Sequence, residues 1–240
     1  MDDSFDPGAD PSKPFPHERE TEDERMLGLE SLGKDSWRVF RIMGEFVEGF
    51  DELHSTGTAV SIFGSARTKP EDPMYQACVE TSRLLGEAGF AVITGGGPGM
   101  MEAANKGAQL AGATSVGCNI ELPFEQGGNK YLDVSIDFRY FFVRKTMFMK
   151  YASGSVIFPG GFGTMDELFE ALTLIQTHKV RDFPVVLFGR EYWAGLLDWI
   201  RNTMAAEGKI AADDIDLMSV TDDPEVARDH ILSGLREPPG

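Results

Sequence analysis

The chain has 240 residues, enough for one large α/β domain, and its 42% hydrophobic and 25% charged side chains exclude a wholly disordered protein. Its net charge of −17, from 39 acids against 22 bases, sets a general nucleic-acid binder aside, because phosphate backbones call for a basic surface. Two cysteines, Cys78 and Cys118, are too few for a disulfide framework and read as buried thiols of a reducing compartment.

Residues 1–33 mix Pro, Gly, Ser and acids with few large apolar side chains, and read as a disordered acidic arm. Up to Arg25 the arm carries −6, so the remainder still carries −11, and a small anionic ligand needs a local positive site. No basic start leads into an apolar run, and no stretch of eighteen apolar residues occurs. A soluble, cytoplasmic protein is expected, with neither membrane nor nucleic acid as partner.

Residues 34–236 read as one Rossmann-like domain. It opens with an amphipathic helix at 35–54, in which Trp37, Phe40, Met43 and Val47 recur at helical spacing, as do Val39, Ile42, Phe46 and Phe50. So broad a stripe calls for cover, from the domain or from a second subunit. Apolar strands are then predicted at 59–65, 90–96, 114–120, 132–138, 155–161 and 184–189. Helices are predicted at 73–88, 99–111, 139–152, 164–179 and 191–206, and a last one near 223–235 starts at Asp222, Asp223 and Pro224. Such alternation specifies a Rossmann-like three-layer α/β sandwich, a mostly parallel sheet with helices on both faces.

Three of the strands end in small-residue turns: Gly64-Ser65-Ala66, Gly95-Gly96-Gly97-Pro98-Gly99, and Pro159-Gly160-Gly161-Phe162-Gly163-Thr164. Each leads into a helix. Ligands of open parallel sheets sit at that edge, where glycine permits close approach and helix starts offer amide hydrogens to an anion. Three such turns favour a phosphorylated ligand. The dinucleotide pattern G-x-G-x-x-G fits poorly, since Met100 stands where its third glycine belongs. Glu121 at the end of the next strand keeps an NAD reading open. No P-loop occurs, which leaves a mononucleotide or sugar phosphate.

The third turn opens the helix beginning Thr164-Met165-Asp166-Glu167. One reading is a capping box, with Thr164 as N-cap and Glu167 reaching back to it. In the other, a carboxylate one turn inside the helix lies beside a phosphorylated ligand held at its N-terminus. The segment 138–152, FRYFFVRKTMFMKYA, leaves almost no polar face, so its helix is expected between layers or between subunits. Arg144 at its centre needs a partner, either a core carboxylate or an anion in the site. His17, His54, His178 and His230 are scattered, and no metal-ligand spacing or G-x-S-x-G appears, so neither a metal nor a hydrolase serine is expected.

These residues resemble the LONELY GUY (LOG) family, the cytokinin riboside 5′-monophosphate phosphoribohydrolases. Its PGGxGTxxE hallmark is matched from Pro159 to Glu167, and its upstream Arg-Lys pair by Arg144 and Lys145. Gly64-Ser65 and the run Gly95–Met101 resemble the family's other glycine turns. The resemblance implies Arg144 and Glu167 as the catalytic pair. It implies Gly160, Gly161, Gly163 and Thr164 at the 5′-phosphate, Ser65, Gly96 and Gly97 in the facing turns, and Lys145 and Thr173 lining the nucleotide site. Glu125 resembles a base-side or ribose-binding acid, with Glu121 as its rival. The reaction implied is hydrolysis of the N-glycosidic bond of a purine nucleoside 5′-monophosphate, without a cofactor, in a homodimer or higher homo-oligomer with sites near the subunit interface. Relatives are often labelled lysine decarboxylase, yet no lysine here is placed as a pyridoxal Schiff-base residue requires. A non-catalytic carrier of a nucleotide or phosphorylated cofactor is the alternative.

Overall fold

A computed structural model describes residues 35–121 and 128–235. The arm 1–33, the tail 236–240 and Glu125 lie outside these residues. Seven strands form one sheet: β1 Ala59–Phe63, β2 Ala91–Thr94, β3 Ser115–Ile120, β4 Val134–Phe138, β5 Ala152–Ile157, β6 Val185–Phe188 and β7 Met218–Thr221. Their order is β4-β3-β2-β1-β5-β6-β7, and every neighbouring pair is parallel. β2 and β6 are buried at every position, as strands covered on both faces must be.

The helices are α1 Asp35–Leu53, α2 Pro73–Glu87, α3 Met100–Leu110, α4 Phe141–Tyr151, α5 Phe162–Gln176, α6 Arg190–Trp199 and α7 Pro224–Ser233. Two starts follow sequence chemistry closely. Asp72 accepts the Met74 amide (2.8 Å) ahead of Pro73, and Asp223 accepts the Glu225 amide (2.9 Å) ahead of Pro224. One face of the sheet is covered by α2, α3 and α7, whose Tyr75, Ala104 and Ile231 pack on Val60, Val92 and Val186. The other is covered by α1 and α4 towards β4, and by α5 and α6 towards β7.

Two elements depart from the sequence expectation. β7 was not anticipated: its four residues are mostly half-buried, at a sheet edge, and follow a 3-10 turn at Ala212–Leu217, so no apolar run marks them. The helix expected to Ala206 is α-helical only to Trp199 and continues as a π-helical turn, Ile200–Ala205.

Helix α1 half-buries only the middle of one stripe, and Val39 and Phe50 at its ends are exposed, as is the whole of the other stripe. Ile42 and Phe46 pack on the β3–β4 side of the core, and Gly49 lies against Met147 of α4, where a Cβ would stand 2.9 Å from Cε. Trp37, Phe40, Met43 and Val47 stay exposed. Glu45 fixes the docking by accepting the backbone amides of Arg139 (3.2 Å) and Tyr140 (3.3 Å) at the start of α4. In α4 itself Val143, Met147 and Phe148 are buried, while Phe141 and Phe142 are exposed at the helix start.

The winding direction reverses between β1 and β5. That topological switch leaves a crevice at their carboxyl ends, with the β2 end as its third wall. All three glycine turns lie there.

Candidate functional site

The turn after β1 is stitched between the other two. The Ser65 amide donates to the Pro159 carbonyl (3.0 Å), and the Met100 amide donates to the Ser65 carbonyl (3.0 Å). Such spacing admits no side chain. A Cβ on Gly99, whose φ is +67°, would stand 2.5 Å from the Ser65 oxygen, and one on Gly160 2.1 Å from Thr164 Oγ1.

A buried polar network holds the second turn. Thr94 Oγ1 donates to Asn105 Oδ1 (2.7 Å) and accepts the Gly96 amide (2.9 Å), and Asn105 Nδ2 donates to Ser115 Oγ (2.9 Å). Asn129 adds bonds to the carbonyls of Gly96 and Gly97, each 3.1 Å. Every polar atom paired in this way avoids a desolvation cost of about 1–3 kcal/mol. Sequence reasoning missed these residues. The one signal was polar Thr94, Asn105 and Ser115 in otherwise apolar runs.

The third turn ends differently from the capping-box reading of Thr164. Gly161 occupies the N-cap, so Thr164 is the third helical residue and no side chain caps the helix. The capping box is therefore not formed. The first helical bond runs from the Met165 amide to the Gly161 carbonyl (3.0 Å), and the amides of residues 162–164 lie ahead of it, at the positive end of the helix dipole.

Glu167, freed from capping, is 9% exposed, and its Oε2 is buried without a hydrogen-bond partner. Burial pushes its pKa up to about 7; Lys145 and Arg144 pull it down, and Glu170 and Asp166 add to the rise. Lys145 Nζ lies 3.4 Å from Glu167 Oε1 and 3.0 Å from Asp166 Oδ2, and touches Glu170. Burial works against its charge, but the Glu170, Glu167 and Asp166 carboxylates outweigh that, and its pKa stands above the usual lysine value. Arg144 turns the other way: its Nε donates to the Cys118 carbonyl (2.7 Å), and its guanidinium carbon sits 5.2 Å from the Phe148 ring centre.

Between the turns lies a cavity of about 910 Å³. Ser65, Gly97, Gly161, Gly163, Thr164, Arg144 and Glu167, all anticipated from sequence, line it. Gly96, Gly160 and Lys145 stand behind the wall. Thr173 does not reach it and bonds its own helix at the Phe169 carbonyl (2.7 Å). Glu121 lines it, while Glu125 falls outside the described residues. Sequence reasoning overlooked Arg67, Asn119 and Asp137, which project from strand ends or turns with no motif to mark them. Among the described residues no group of three or more His, Cys, Asp or Glu could hold a metal ion, and no helix is long and apolar enough to cross a membrane.

The family model described as "Possible lysine decarboxylase" matches residues 101–231. The chain belongs to that family. The match takes in the Arg144-Lys145 pair and the whole PGGxGTxxE segment, so the LOG-like resemblance and the possible lysine decarboxylase family are one assignment. No curated protein matches the sequence. Among solved structures, TM1055 superposes with a TM-score of 0.52 at 24% identity, over 70% of this chain and 94% of that one. The molybdenum cofactor binding protein of the phototrophic bacterium Rippkaea orientalis gives 0.52 at 21%, over 73% and 94%. The molybdenum cofactor carrier protein of Chlamydomonas reinhardtii gives 0.55 at 20%, over 75% and 99%. At these identities the likeness is one of fold.

Proposed function

We propose that this member of the possible lysine decarboxylase family is a nucleoside 5′-monophosphate phosphoribohydrolase. It adds water across the N-glycosidic bond of a purine nucleotide, cytokinin-type or adenosine, and releases free base and ribose 5-phosphate. One observation carries the reading: a buried carboxylate, Glu167, faces the same cavity as Arg144 and a helix N-terminus flanked by glycines. The amides of residues 162–164 take the phosphate. The transition state gathers positive charge at C1′ and negative charge on the departing base. Glu167 stabilises the cation or accepts the proton of the attacking water, and Arg144 orients a ribose or phosphate oxygen. Phosphate binding remote from the breaking bond makes the nucleoside a poor substrate.

No residue of this scheme depends on a cofactor or metal. The proposed assembly is a homodimer or higher homo-oligomer, supported by exposed Phe141 and Phe142 on a cavity-lining helix and by the exposed stripe of α1. The proposed location is the cytoplasm, and the proposed catalytic domain spans residues 34–236.

The deciding experiment incubates the protein with AMP and with an N6-isopentenyl analogue and detects free base by chromatography. Release by the wild type and its loss in Glu167→Gln supports the reading. A second reading, a carrier of a phosphorylated cofactor, is favoured by two fold neighbours named as molybdenum cofactor binding or carrier proteins. A thermal shift with ligand and no release of base would select it.

A further inference from the structure

We propose that Lys145 is a positioning residue: it acts on the reaction through Glu167, from behind the cavity wall, and makes no contact with the nucleotide. This rests on the phosphoribohydrolase reading. Arg144 and Lys145 are consecutive on α4, about 100° apart around the helix, and the structure sends them to different places. Arg144 reaches the cavity and the end of β3. Lys145, its side chain 16% exposed, reaches α5, where its ammonium is shared by Asp166, Glu167 and Glu170.

Three carboxylates at positions i, i+1 and i+4 of α5 repel one another, and a single cation gathers them. The clasp does two things to Glu167. It holds the side chain at the Oε1 end, and it supplies the larger of two positive influences on a carboxylate that burial would otherwise keep protonated. Glu170 competes for the same ammonium and adds negative charge, so it works against Glu167. Among the described residues, the other charged groups facing Glu167 are Asp166 on its own helix and Arg144 on α4, with Arg67, Glu121 and Asp137 across the cavity.

These opposed influences give a test of sign. Rates of base release from AMP are measured against pH for the wild type, Lys145→Met, Lys145→Arg and Glu170→Gln. Lys145→Met is expected to move the acid limb of kcat/KM up by about one pH unit, costing about tenfold near pH 6 with the loss shrinking towards pH 9, while KM for AMP changes less than threefold. Lys145→Arg restores the limb. Glu170→Gln moves it down. A Lys145→Met protein with its limb in place and KM raised tenfold would make Lys145 a ligand contact and overturn the proposal. Were Lys145→Met unable to fold, an unmoved limb in Glu170→Gln would do the same. If the wild type releases no base, the hydrolase reading fails by itself, and the Glu167 carboxyl titration followed by carbon NMR in the same proteins still decides. Opposite displacements sustain the clasp; no displacement refutes it.

Discussion

Gly95 lies directly against the guanidinium of Arg144: a Cβ built on it would stand 2.3 Å from Nη2 and 2.7 Å from Met101 Sδ. Both neighbours are side chains and not backbone, so they can shift, Arg144 at the expense of its bond to the Cys118 carbonyl of β3. Gly95→Ala is therefore expected to cost only about 1 kcal/mol of stability. If Arg144 has its proposed role of orienting the nucleotide, moving the guanidinium by an ångström is expected to cost far more in rate, at least tenfold in base release from AMP. Thermal melts and base-release assays on the same preparation check the split. A variant with wild-type turnover would remove Arg144 from its proposed role.

The pH dependence follows from Glu167. Its pKa is pushed up to about 7, and its proposed role needs the charged form. kcat/KM for AMP should rise about tenfold per pH unit below pH 6.5 and level off above pH 8. Glu167→Gln should lose at least a hundredfold at every pH and show no such limb. A flat wild-type profile between pH 5.5 and 8 would place the titrating group elsewhere.

The layered fold was legible because its central strands are continuous apolar runs and its helices announce themselves, as at Asp72-Pro73 and Asp223-Pro224. β7 was not, because half-buried edge residues carry no period. The glycine turns were legible as turns, and their shared edge followed from strand alternation. Whether Glu167 caps its own helix was undecidable in sequence. The two readings differ by where the helix begins, and the structure begins it at Phe162, leaving Thr164 inside. Asn105 and Asn129 bond across long loops, and contacts of that range leave no local signature. The Arg144-Lys145 pair was visible, but the divergence of its two side chains depends on α5 and β3 packing on either side of α4.

The same carboxylate carries a stability cost. Its folded pKa lies above the ordinary value of 4.5, so folding disfavours the charged form. The stability it contributes is fully present below about pH 4.5 and is lost as pH rises through 7. Glu167→Gln cannot ionise and escapes that loss. It should be about 2 kcal/mol more stable than wild type at pH 8, raising Tm by about 4–8 °C, with the gap closing near pH 5. Calorimetric scans at the two pH values read this directly. A gap of the same size at both would mean that ionisation is not its source.

Gly99 makes the opposite case, of a residue whose neighbours cannot yield. Its φ is +67°, and a Cβ would meet the backbone of Ser65 and Ala66 at 2.5–2.7 Å. Gly99→Ala therefore strains the residue itself and pushes apart the first and second turns, breaking the bond from the Met100 amide to the Ser65 carbonyl. The expected loss is about 3 kcal/mol or more, with AMP no longer shifting the melt. Retention of both stability and ligand response would mean that the turns are not the rigid frame of the site.

Tyr192 offers the finest probe of the proposed phosphate cradle. Its hydroxyl, from α6, donates to the Gly160 carbonyl at 2.6 Å, and its ring packs edge-on against Trp193. The Gly160–Gly161 peptide is trans, so fixing its carbonyl towards Tyr192 directs the Gly161 N–H the opposite way. Gly161 itself lines the cavity. Removing the hydroxyl in Tyr192→Phe leaves the ring packing and frees that peptide to rock. The cost of one hydrogen bond is about 1 kcal/mol, so KM for AMP should rise about fivefold with kcat nearly unchanged. Turnover of adenosine, which has no phosphate to hold, should not respond. Equal losses for nucleotide and nucleoside would mean that Tyr192 supports the fold of the turn in general and not the amide aimed at the phosphate.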